Sequence, residues 1–248
     1  EELGERAPLT LASRNKLALV LAARGDNELA GKEAAEALRL QREVLGNQHA
    51  STLTTMQTLA NILMPLKQYD EAEALTRESL KGMEAQFGDD YAQTLASMNT
   101  LAYLLEERGK VGEAELQYRR IIAIQTRGGV EHPTTLAPRN NLAMLLMNDG
   151  RLDAARAEFA ALLRLARATV GDEHAMTAIF MSNEGLCLGR MGRTAEARIE
   201  LEDAHKRLLA IFGADHSRTR TAAERLAEVY RKLGENAKAD ALDATRGA

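Results

Sequence analysis

The sequence predicts an all-α protein built as a solenoid of antiparallel helix pairs. Three features lead to this prediction: a glycine recurs about every 42 residues, two helical patterns fill each period, and the composition is typical of helices. Proline occurs only 4 times and aromatic residues make up 4% of the chain, while hydrophobic residues make up 45%. A fixed period of this length is typical of stacked repeats, in which each repeat packs mainly on its neighbours.

The period is visible in a ladder of glycines, threonines and histidines. The glycines are spaced by 42, 42, 41, 42 and 42 residues, at Gly4, Gly46, Gly88, Gly129, Gly171 and Gly213. A threonine follows each of them by six residues, at Thr10, Thr52, Thr94, Thr135, Thr177 and Thr219. A histidine precedes four of the threonines by three residues, at His49, His132, His174 and His216. We therefore expect similar corners between successive repeats.

Each period contains two amphipathic patterns, which we name helix A and helix B. In the fourth period, the apolar stripe of helix A is Leu136, Leu142, Ala143, Leu145 and Leu146. The stripe of the following helix B is Ala155, Phe159, Leu162, Leu163 and Leu165. A glycine between the two helices is a natural left-handed stop. It occurs at Gly25, Gly109, Gly150, Gly192 and Gly234, while Lys67 replaces it in the second period.

Small residues recur where the helices of a pair must touch, because a small side chain lets two helix axes approach closely. In helix A they are Ala18, Ala60, Ala102, Ala143, Gly185 and Ala227. In helix B they are Ala30, Ala72, Ala114, Ala155, Ala197 and Ala239. A larger residue at either place is expected to overpack the contact, which costs roughly 1–3 kcal/mol.

Two prolines test where helix A begins and ends. If Thr135 is the N-cap, Pro138 falls in the first turn, where its missing N–H is tolerated; the alternative is a kink. Pro65 cannot donate to the carbonyl of Asn61 and is therefore expected to bend or end the second helix A.

The Leu-Ala pair of helix A, the turn glycine and the early alanine of helix B resemble the tetratricopeptide repeat. The 42-residue period and two segments are similar to the kinesin-light-chain type of this repeat: His132-Pro133-Thr134-Thr135-Leu136 and Asn140-Asn141-Leu142-Ala143. The resemblance implies a right-handed superhelical solenoid, with helix A lining the inner, concave surface and helix B the outer one. A repeat fold hosts many partners, so the resemblance alone identifies no ligand.

On this basis the chain divides into a six-residue start and six repeats. Residues 1–6 have the register of the end of an earlier helix B, so we expect an upstream repeat in the parent protein. The repeats are 7–48, 49–90, 91–131, 132–173, 174–215 and 216–248. The last resembles a polar cap, because it places charged residues where others are apolar, at Glu224, Arg225, Glu228, Arg231 and Lys232.

The inner surface assigned by the resemblance carries the candidate binding residues. The equivalents of Asn140 there are Asn15, Gln57, Asn99, Ser182 and Glu224. From this surface we predict a peptide site of Asn15, Lys16, Asn61, Met64, Asn99, Tyr103, Asn140, Asn141, Met144, Met147, Asn183 and Arg190. An amide both donates and accepts, so recurring amides can hold an extended peptide backbone. The family role of contacting peptide backbone transfers most directly to Asn99, Asn140 and Asn141.

The remaining predicted roles are apolar pockets, an aromatic anchor and charge attraction. Met64, Met144 and Met147 can supply adaptable pockets, Tyr103 the anchor, and Lys16 and Arg190 can attract acidic side chains. The competing interpretation is that the asparagines bond neighbouring repeats and hold no ligand. Met56, Met98 and Met181 occupy equivalent positions that favour the core over a pocket.

Other chemistry finds little support in the sequence. The four corner histidines lie a repeat or more apart, which favours a structural role over metal binding. His205 is out of register and is expected on the surface of a helix B, and Cys187 reads as an apolar side chain without a paired base. Neither an active-site motif nor a cofactor motif is present. We therefore predict a non-enzymatic module with no cofactor and no metal.

The composition and the net charge limit the classes of partner that we expect. A net charge of −4 disfavours nucleic acid, and no apolar run approaches the roughly 20 residues that span a bilayer. The charged N-terminus lacks an apolar signal core, so we expect a cytoplasmic protein, and the Ala and Arg content favours a bacterial source. The predicted partner is a protein or peptide, bound in the inner groove. The alternative is a regulatory, scaffolding or self-associating segment of a larger signalling protein, which leaves the oligomeric state open.

Overall fold

The structure is a computed structural model that describes residues 4–129 and 132–244. Within these ranges it contains α helices joined by short turns, and no strand. Two compact units form, Glu1–Ile124 and Gln125–Ala248, which we call the N-terminal and the C-terminal unit. The predicted all-α array of antiparallel helix pairs is confirmed. Residues 1–3 of the predicted start lie outside the described residues, and the repeat boundaries stay predictions.

The N-terminal unit alternates helices A and B in three pairs. Its helices are α1 (Pro8–Ala23), α2 (Asn27–Leu45), α3 (Ala50–Leu63), α4 (Tyr69–Phe87), α5 (Ala92–Glu107) and α6 (Val111–Gln125). Each of α2, α3 and α4 packs on the helix before it and the helix after it, and α1 also touches α3. The first two helices A of this unit, α1 and α3, are therefore neighbours.

The C-terminal unit repeats this arrangement after a single 3-10 turn at Pro133–Thr135. Its helices are α7 (Leu136–Asn148), α8 (Leu152–Thr169), α9 (Ala175–Arg190), α10 (Thr194–Phe212), α11 (Ser217–Lys232) and α12 (Asn236–Ala244). Consecutive helices pack on one another, and α9 touches both α7 and α11. In neither of the described ranges is a helix long and apolar enough to cross a bilayer.

The histidine and threonine ladders mark helix starts. The imidazole Nδ1 of each corner histidine accepts a hydrogen bond from the backbone N–H two residues on, at 3.1 Å for His49, His174 and His216 and 3.3 Å for His132. Such a side chain satisfies an N–H that the helix leaves free. The Thr177 hydroxyl donates to the Gly171 carbonyl at 2.7 Å, and Thr10 donates to the Gly4 carbonyl at 3.1 Å, whereas Thr135 and Thr219 bond other carbonyls. The structural role predicted for these histidines is confirmed.

The turns behave as predicted, including the exceptional one. The five turn glycines have φ between +69° and +88°, and Lys67 adopts the same left-handed conformation at φ +58°. Helix α3 ends at Leu63, so Pro65 lies in the turn and ends the helix instead of bending it. Thr135 is the N-cap of α7, which places Pro138 in the first turn.

The core is built from the predicted small and branched residues. The alanines predicted at helix contacts are all fully buried, as are Met56 and Met98. At Gly185, an added Cβ would stand 2.6 Å from Leu201 Cγ, so this position requires glycine. Cys187 is fully buried, as predicted, whereas His205 is half-buried and not simply on the surface.

Candidate functional site

The candidate site lies on helices A, and each unit contributes its own face. Residues three or four apart on a helix share a face, so the predicted positions of each helix A point the same way. The N-terminal helix A face consists of Asn15, Lys16, Leu19, Gln57, Asn61, Met64, Asn99 and Tyr103. The C-terminal helix A face consists of Asn140, Asn141, Met144, Ser182, Asn183, Arg190 and Arg225. The two faces use their polar groups differently.

On the C-terminal helix A face, polar side chains bond to one another across three helices. The Asn183 amide donates to Asn140 Oδ1 at 2.8 Å, linking α9 to α7. Arg225 of α11 donates to Asn183 Oδ1 at 2.8 Å and to Ser182 Oγ at 2.9 Å. Asn183 is only 7% exposed. Both ends of its amide are therefore occupied within the unit, which is the arrangement expected if these residues hold repeats together.

Arg225 is a half-buried cation in contact with neutral oxygens. Burial lowers the pKa of its guanidinium, and the positive charges of Arg190 and Arg218 lower it further. The expected capping role, with this side chain on a polar outer surface, is therefore not what Arg225 does. It points back at α9 and depends on the amide of Asn183 for a strong acceptor, because hydrogen bonds to charged groups are the stronger ones.

Two further predicted residues of this unit, Arg190 and Met147, also make contacts within the unit. Arg190 at the end of α9 donates to Asn148 Oδ1 at 3.1 Å and to the Met147 carbonyl at 3.5 Å. Met147 itself is 1% exposed and packs in the core, so its predicted role as a surface pocket is wrong, because its side chain is withdrawn from solvent. Asn141 and Met144 are half-buried on this face.

On the N-terminal helix A face, buried polar atoms lack partners. Neither the Nε2 nor the Oε1 atom of Gln57 has a hydrogen-bond partner in the described part of the chain, although solvent barely reaches either atom. Asn15 Oδ1 on α1 is in the same state. Buried polar groups are normally bonded, and leaving one unbonded costs roughly 1–3 kcal/mol. Within the described residues, Gln57 is the one side chain with both of its polar ends in this state.

The other residues of this face are exposed or half-buried. Asn61 is exposed, and its Oδ1 accepts a long 3.5 Å bond from the Thr100 hydroxyl on α5. Lys16 and Leu19 of α1 are exposed, Leu19 to 51%. Asn99 is half-buried on α5, and Met64 is half-buried against the core at the end of α3. The face therefore offers amides, one ammonium group and apolar surface.

Two tyrosines, Tyr103 and Tyr69, form an aromatic part of this face. Tyr103 is 45% exposed, and its pKa is raised by partial burial and then by the Glu107 carboxylate. The Tyr69 hydroxyl donates to Glu107 Oε2 at 3.2 Å, so both tyrosines lie near one carboxylate. Tyr69 was missed from the sequence because it begins a helix B, and only the packing of α4 on α5 brings it here.

The chemistry available on these faces is that of recognition. In the described ranges, no cluster of three or more His, Cys, Asp or Glu side chains is arranged to hold a metal ion. Amides, hydroxyls and guanidinium groups supply donors and acceptors with fixed spacing along neighbouring helices. Such an array suits a chain whose own N–H and C=O groups recur.

Comparison with known proteins agrees with this architecture. The model of the tetratricopeptide repeat family matches residues 9–64, 57–127, 134–210 and 181–243. No curated protein matches the sequence. A solved structure of nearly identical TPR-like repeats of kinesin-light-chain type from Podosopora anserina is 22% identical, with a TM-score of 0.73, covering 82% of this chain and 96% of that one.

Two further solved structures have the same fold at lower identity. BtubC (BKLC) from P. vanneervenii is 21% identical, with a TM-score of 0.67, covering 89% of this chain and 87% of that one. A Rap protein complexed with Competence and Sporulation Factor is 13% identical, with a TM-score of 0.62, covering 94% of this chain and 74% of that one. These similarities support the repeat architecture inferred from the sequence.

Proposed function

Because the chain belongs to the tetratricopeptide repeat family, we propose that it is a non-enzymatic protein interaction module that binds an extended peptide segment of a partner on the N-terminal helix A face. Proteins of this fold generally bind other proteins. The finer part of the proposal is the place and the chemistry: amides of α1, α3 and α5 hold the peptide backbone. A cytoplasmic location, expected from the N-terminal sequence, belongs to the same proposal.

The orphaned amide of Gln57 carries the proposal. It lies in the middle helix of the face, between Asn15 on α1 and Asn99 on α5. Gln57 is half-buried, so its amide reaches a bound peptide by turning outward, where the peptide backbone offers the acceptor that Nε2 lacks and the donor that Oε1 lacks. The penalty for the unbonded amide is present in the free protein and would be removed in the complex, so the bond contributes to affinity.

Side chains around this amide would provide selectivity. Tyr103 and Met64 offer an aromatic and a polarizable apolar surface, and Lys16 offers a positive charge for an acidic side chain. Asn61 and Asn99 are placed to continue the amide contacts on either side of Gln57. On the C-terminal helix A face, Asn140 and Asn183 are occupied by each other, which supports a linking role there. Asn141 and Met144 stay predicted contacts.

The test is selection of peptides of about 12 residues from a random library against the whole chain, followed by measurement of Kd for three variants. Gln57→Met keeps the length of the side chain and removes the amide. Asn99→Ala removes the neighbouring amide. Gln93→Met makes the Gln57 change at an exposed position at the start of α5 and serves as the matched control.

We expect Gln57→Met to weaken the selected peptides about tenfold and Asn99→Ala to weaken them by a similar or smaller factor, because each loses hydrogen bonds to the peptide. The Gln93→Met control should leave Kd unchanged. Peptides that bind all three variants as tightly as the original chain would refute the proposed site.

A further inference from the structure

A second surface of the N-terminal unit is an open groove between α2 and α4. Its volume is about 470 Å³, and it is lined by Gly31 and Ala35 of α2, Leu59 and Leu63 of α3, and Leu66. An adjoining hollow of about 580 Å³ shares Leu66 and extends along the start of α2 to Leu29. Leu59 and Leu63 form a buried floor, and Leu29 is 50% exposed. The groove is separate from the helix A face that carries Gln57.

Comparison with the other repeats shows why this groove is open. The repeat register places Gly31 where later repeats have long charged side chains, at Glu73, Glu115, Arg156 and Arg198. Two of these reach the next repeat: Glu73 bonds Lys110 at 3.1 Å and also contacts Arg108, and Arg198 bonds Glu235 at 3.0 Å. At the first junction the residues facing Gly31 are Leu66 and Gln68, in place of Arg108 and Lys110. The first junction therefore has an apolar groove where the next junction has the Glu73–Lys110 ion pair.

The fold does not require glycine at position 31. An added Cβ would meet only Ile62 Cγ2 within 4 Å, at an ordinary 3.8 Å. Gly82 on α4 is the contrast, because its Cβ would stand 2.6 Å from Leu53 Cδ2. A glycine inside a helix weakens it relative to alanine. Gly31 therefore weakens α2 without relieving a clash, and the feature that depends on it is the groove.

The charges around the groove identify the kind of occupant. Carboxylates of Glu28 and Glu71 flank the apolar floor, against the single ammonium group of Lys32 in the lining. The nearby Asp26 is already paired with Arg24 at 3.8 Å. A partner that carries positive charge beside an apolar side chain complements this rim. A second copy of the chain would present the same acidic rim, and like charges oppose such a contact.

We propose that this groove binds a segment of a partner protein that inserts one large apolar side chain over Leu59, Leu63 and Leu66 and places a lysine or arginine beside Glu28 and Glu71. The apolar side chain occupies the space that Glu73 or Arg198 fills in the later repeats. The basic residue meets Glu28 and Glu71, because Leu66 and Gln68 stand where the next junction has the cations Arg108 and Lys110. The chain then has two binding surfaces of different chemistry on one unit.

The test is an NMR titration of the whole chain with methyl-labelled leucine and alanine. Three peptides of equal length are used: one with a central Phe flanked by Lys, one with Phe flanked by Glu, and one with Ser flanked by Lys. The principal variant is Gly31→Glu with Gln68→Lys, which reproduces the Glu73–Lys110 pair of the next junction and fills the groove. Gly31→Ala is the matched control, because it adds one methyl group within ordinary contact distance.

We expect the Lys-flanked Phe peptide alone to shift the methyl signals of Leu29, Leu66 and Ala35. The double variant should bind it at least tenfold more weakly, while Gly31→Ala folds at least as stably as the original chain and binds within about threefold. Equal binding to the double variant, tighter binding of the Glu-flanked peptide, or shifts confined to other surfaces would overturn the proposal. So would self-association of the chain that the double variant abolishes, because a second copy would then be the occupant.

Discussion

The N-terminal and C-terminal helix A faces occupy equivalent positions of the repeat and treat their amides in opposite ways. In the C-terminal unit, Asn183 uses its donor on Asn140 and its acceptor on Arg225. In the N-terminal unit, Gln57 leaves both ends of its amide buried without a partner. The position shared by Gln57 and Asn140 therefore joins repeats in the C-terminal unit, where Asn140 accepts from Asn183, and leaves its amide unbonded in the N-terminal unit. At the position of Asn183, α5 carries Thr100, whose hydroxyl donates to Asn61 and not to Gln57.

The largest expected effect is in the C-terminal unit, at Asn183→Ala. This change removes one of the two acceptors of the half-buried Arg225, leaving Ser182, and also removes the amide that donates to Asn140. We expect the free energy of unfolding to fall by about 2 kcal/mol, because a buried charge and a buried amide both lose a partner. Urea denaturation measures this loss. Ser182→Ala is the milder control, since Arg225 keeps its bond to Asn183, and an equal loss for both variants would argue against the amide link.

The turns provide the next comparison between the units. Lys67 in the N-terminal unit stands at φ +58°, where Gly150 in the C-terminal unit stands at φ +80°. A left-handed conformation costs a residue with a Cβ roughly 1–2 kcal/mol. Lys67→Gly should therefore raise stability by about 1 kcal/mol, and Gly150→Lys should lower it by a similar amount. Thermal unfolding of the two variants measures both shifts. A destabilising Lys67→Gly would show that the lysine side chain contributes more than its backbone strain.

Gln57→Met is expected to raise the free energy of unfolding slightly, whereas Asn183→Ala lowers it. Removing an amide whose two ends are buried and unbonded should stabilise the free chain by roughly 0.5–1 kcal/mol, because no hydrogen bond is lost. The same variant is expected to bind peptide more weakly. Loss of stability on this substitution would indicate that the amide already has partners in the free protein.

The smallest expected effect is the pH dependence of stability that two carboxyl groups, Glu200 and Glu73, contribute with opposite signs. Burial raises the pKa of Glu200 in the C-terminal unit. Burial also acts on Glu73 in the N-terminal unit, but hydrogen bonds from Arg77, Lys110 and Arg108 outweigh it and lower the pKa. Glu200 therefore favours folding most below its ordinary value near 4.5, and this contribution is lost as pH rises through its raised pKa. Glu73 favours folding above its ordinary value and loses this contribution as pH falls through its lowered pKa.

The neutral variants should show these opposite signs. At pH 7, Glu200→Gln should be slightly more stable than the original chain and Glu73→Gln less stable. Partial exposure keeps the Glu200 effect below about 1 kcal/mol. The Glu200 difference should be small at pH 4, because this carboxyl group with its raised pKa is then neutral. The Glu73 difference should persist just below 4.5 and shrink only as pH falls through the lowered pKa of Glu73. Denaturation curves at pH 4 and pH 7 measure them, and differences of the same sign at pH 7 would contradict the assignment.

The sequence was sufficient for the repeat, the helix pairs and the corners, because these follow from short-range chemistry. A glycine that must be left-handed, an alanine at a close helix contact and a histidine that caps the next helix each act within a few residues. The departure at Lys67 was equally visible, since it breaks a regular series. Periodicity also placed the inner-face amides on one side of each helix.

What periodicity could not decide was the rotation of neighbouring helices A relative to each other. The Asn183–Asn140 bond and the burial of Met147 depend on that rotation, so one predicted ligand group became a link and another became core. Tyr69 reaches the site from a helix B and has no signal in the helix A pattern. The groove at Gly31 did have a signal in the sequence, because glycine occupies a position that is charged in the later periods.

The most direct test of the contrast between the faces is a titration of the chain, labelled at side-chain amide nitrogens, with a peptide selected for binding. We predict that the Gln57 and Asn15 amide signals shift in proportion to the bound fraction. The Asn183 and Asn140 signals should stay in place, because their hydrogen bonds are already made within the C-terminal unit. Shifts at Asn183 and Asn140 with none at Gln57 would reverse the roles assigned to the two faces and contradict the account.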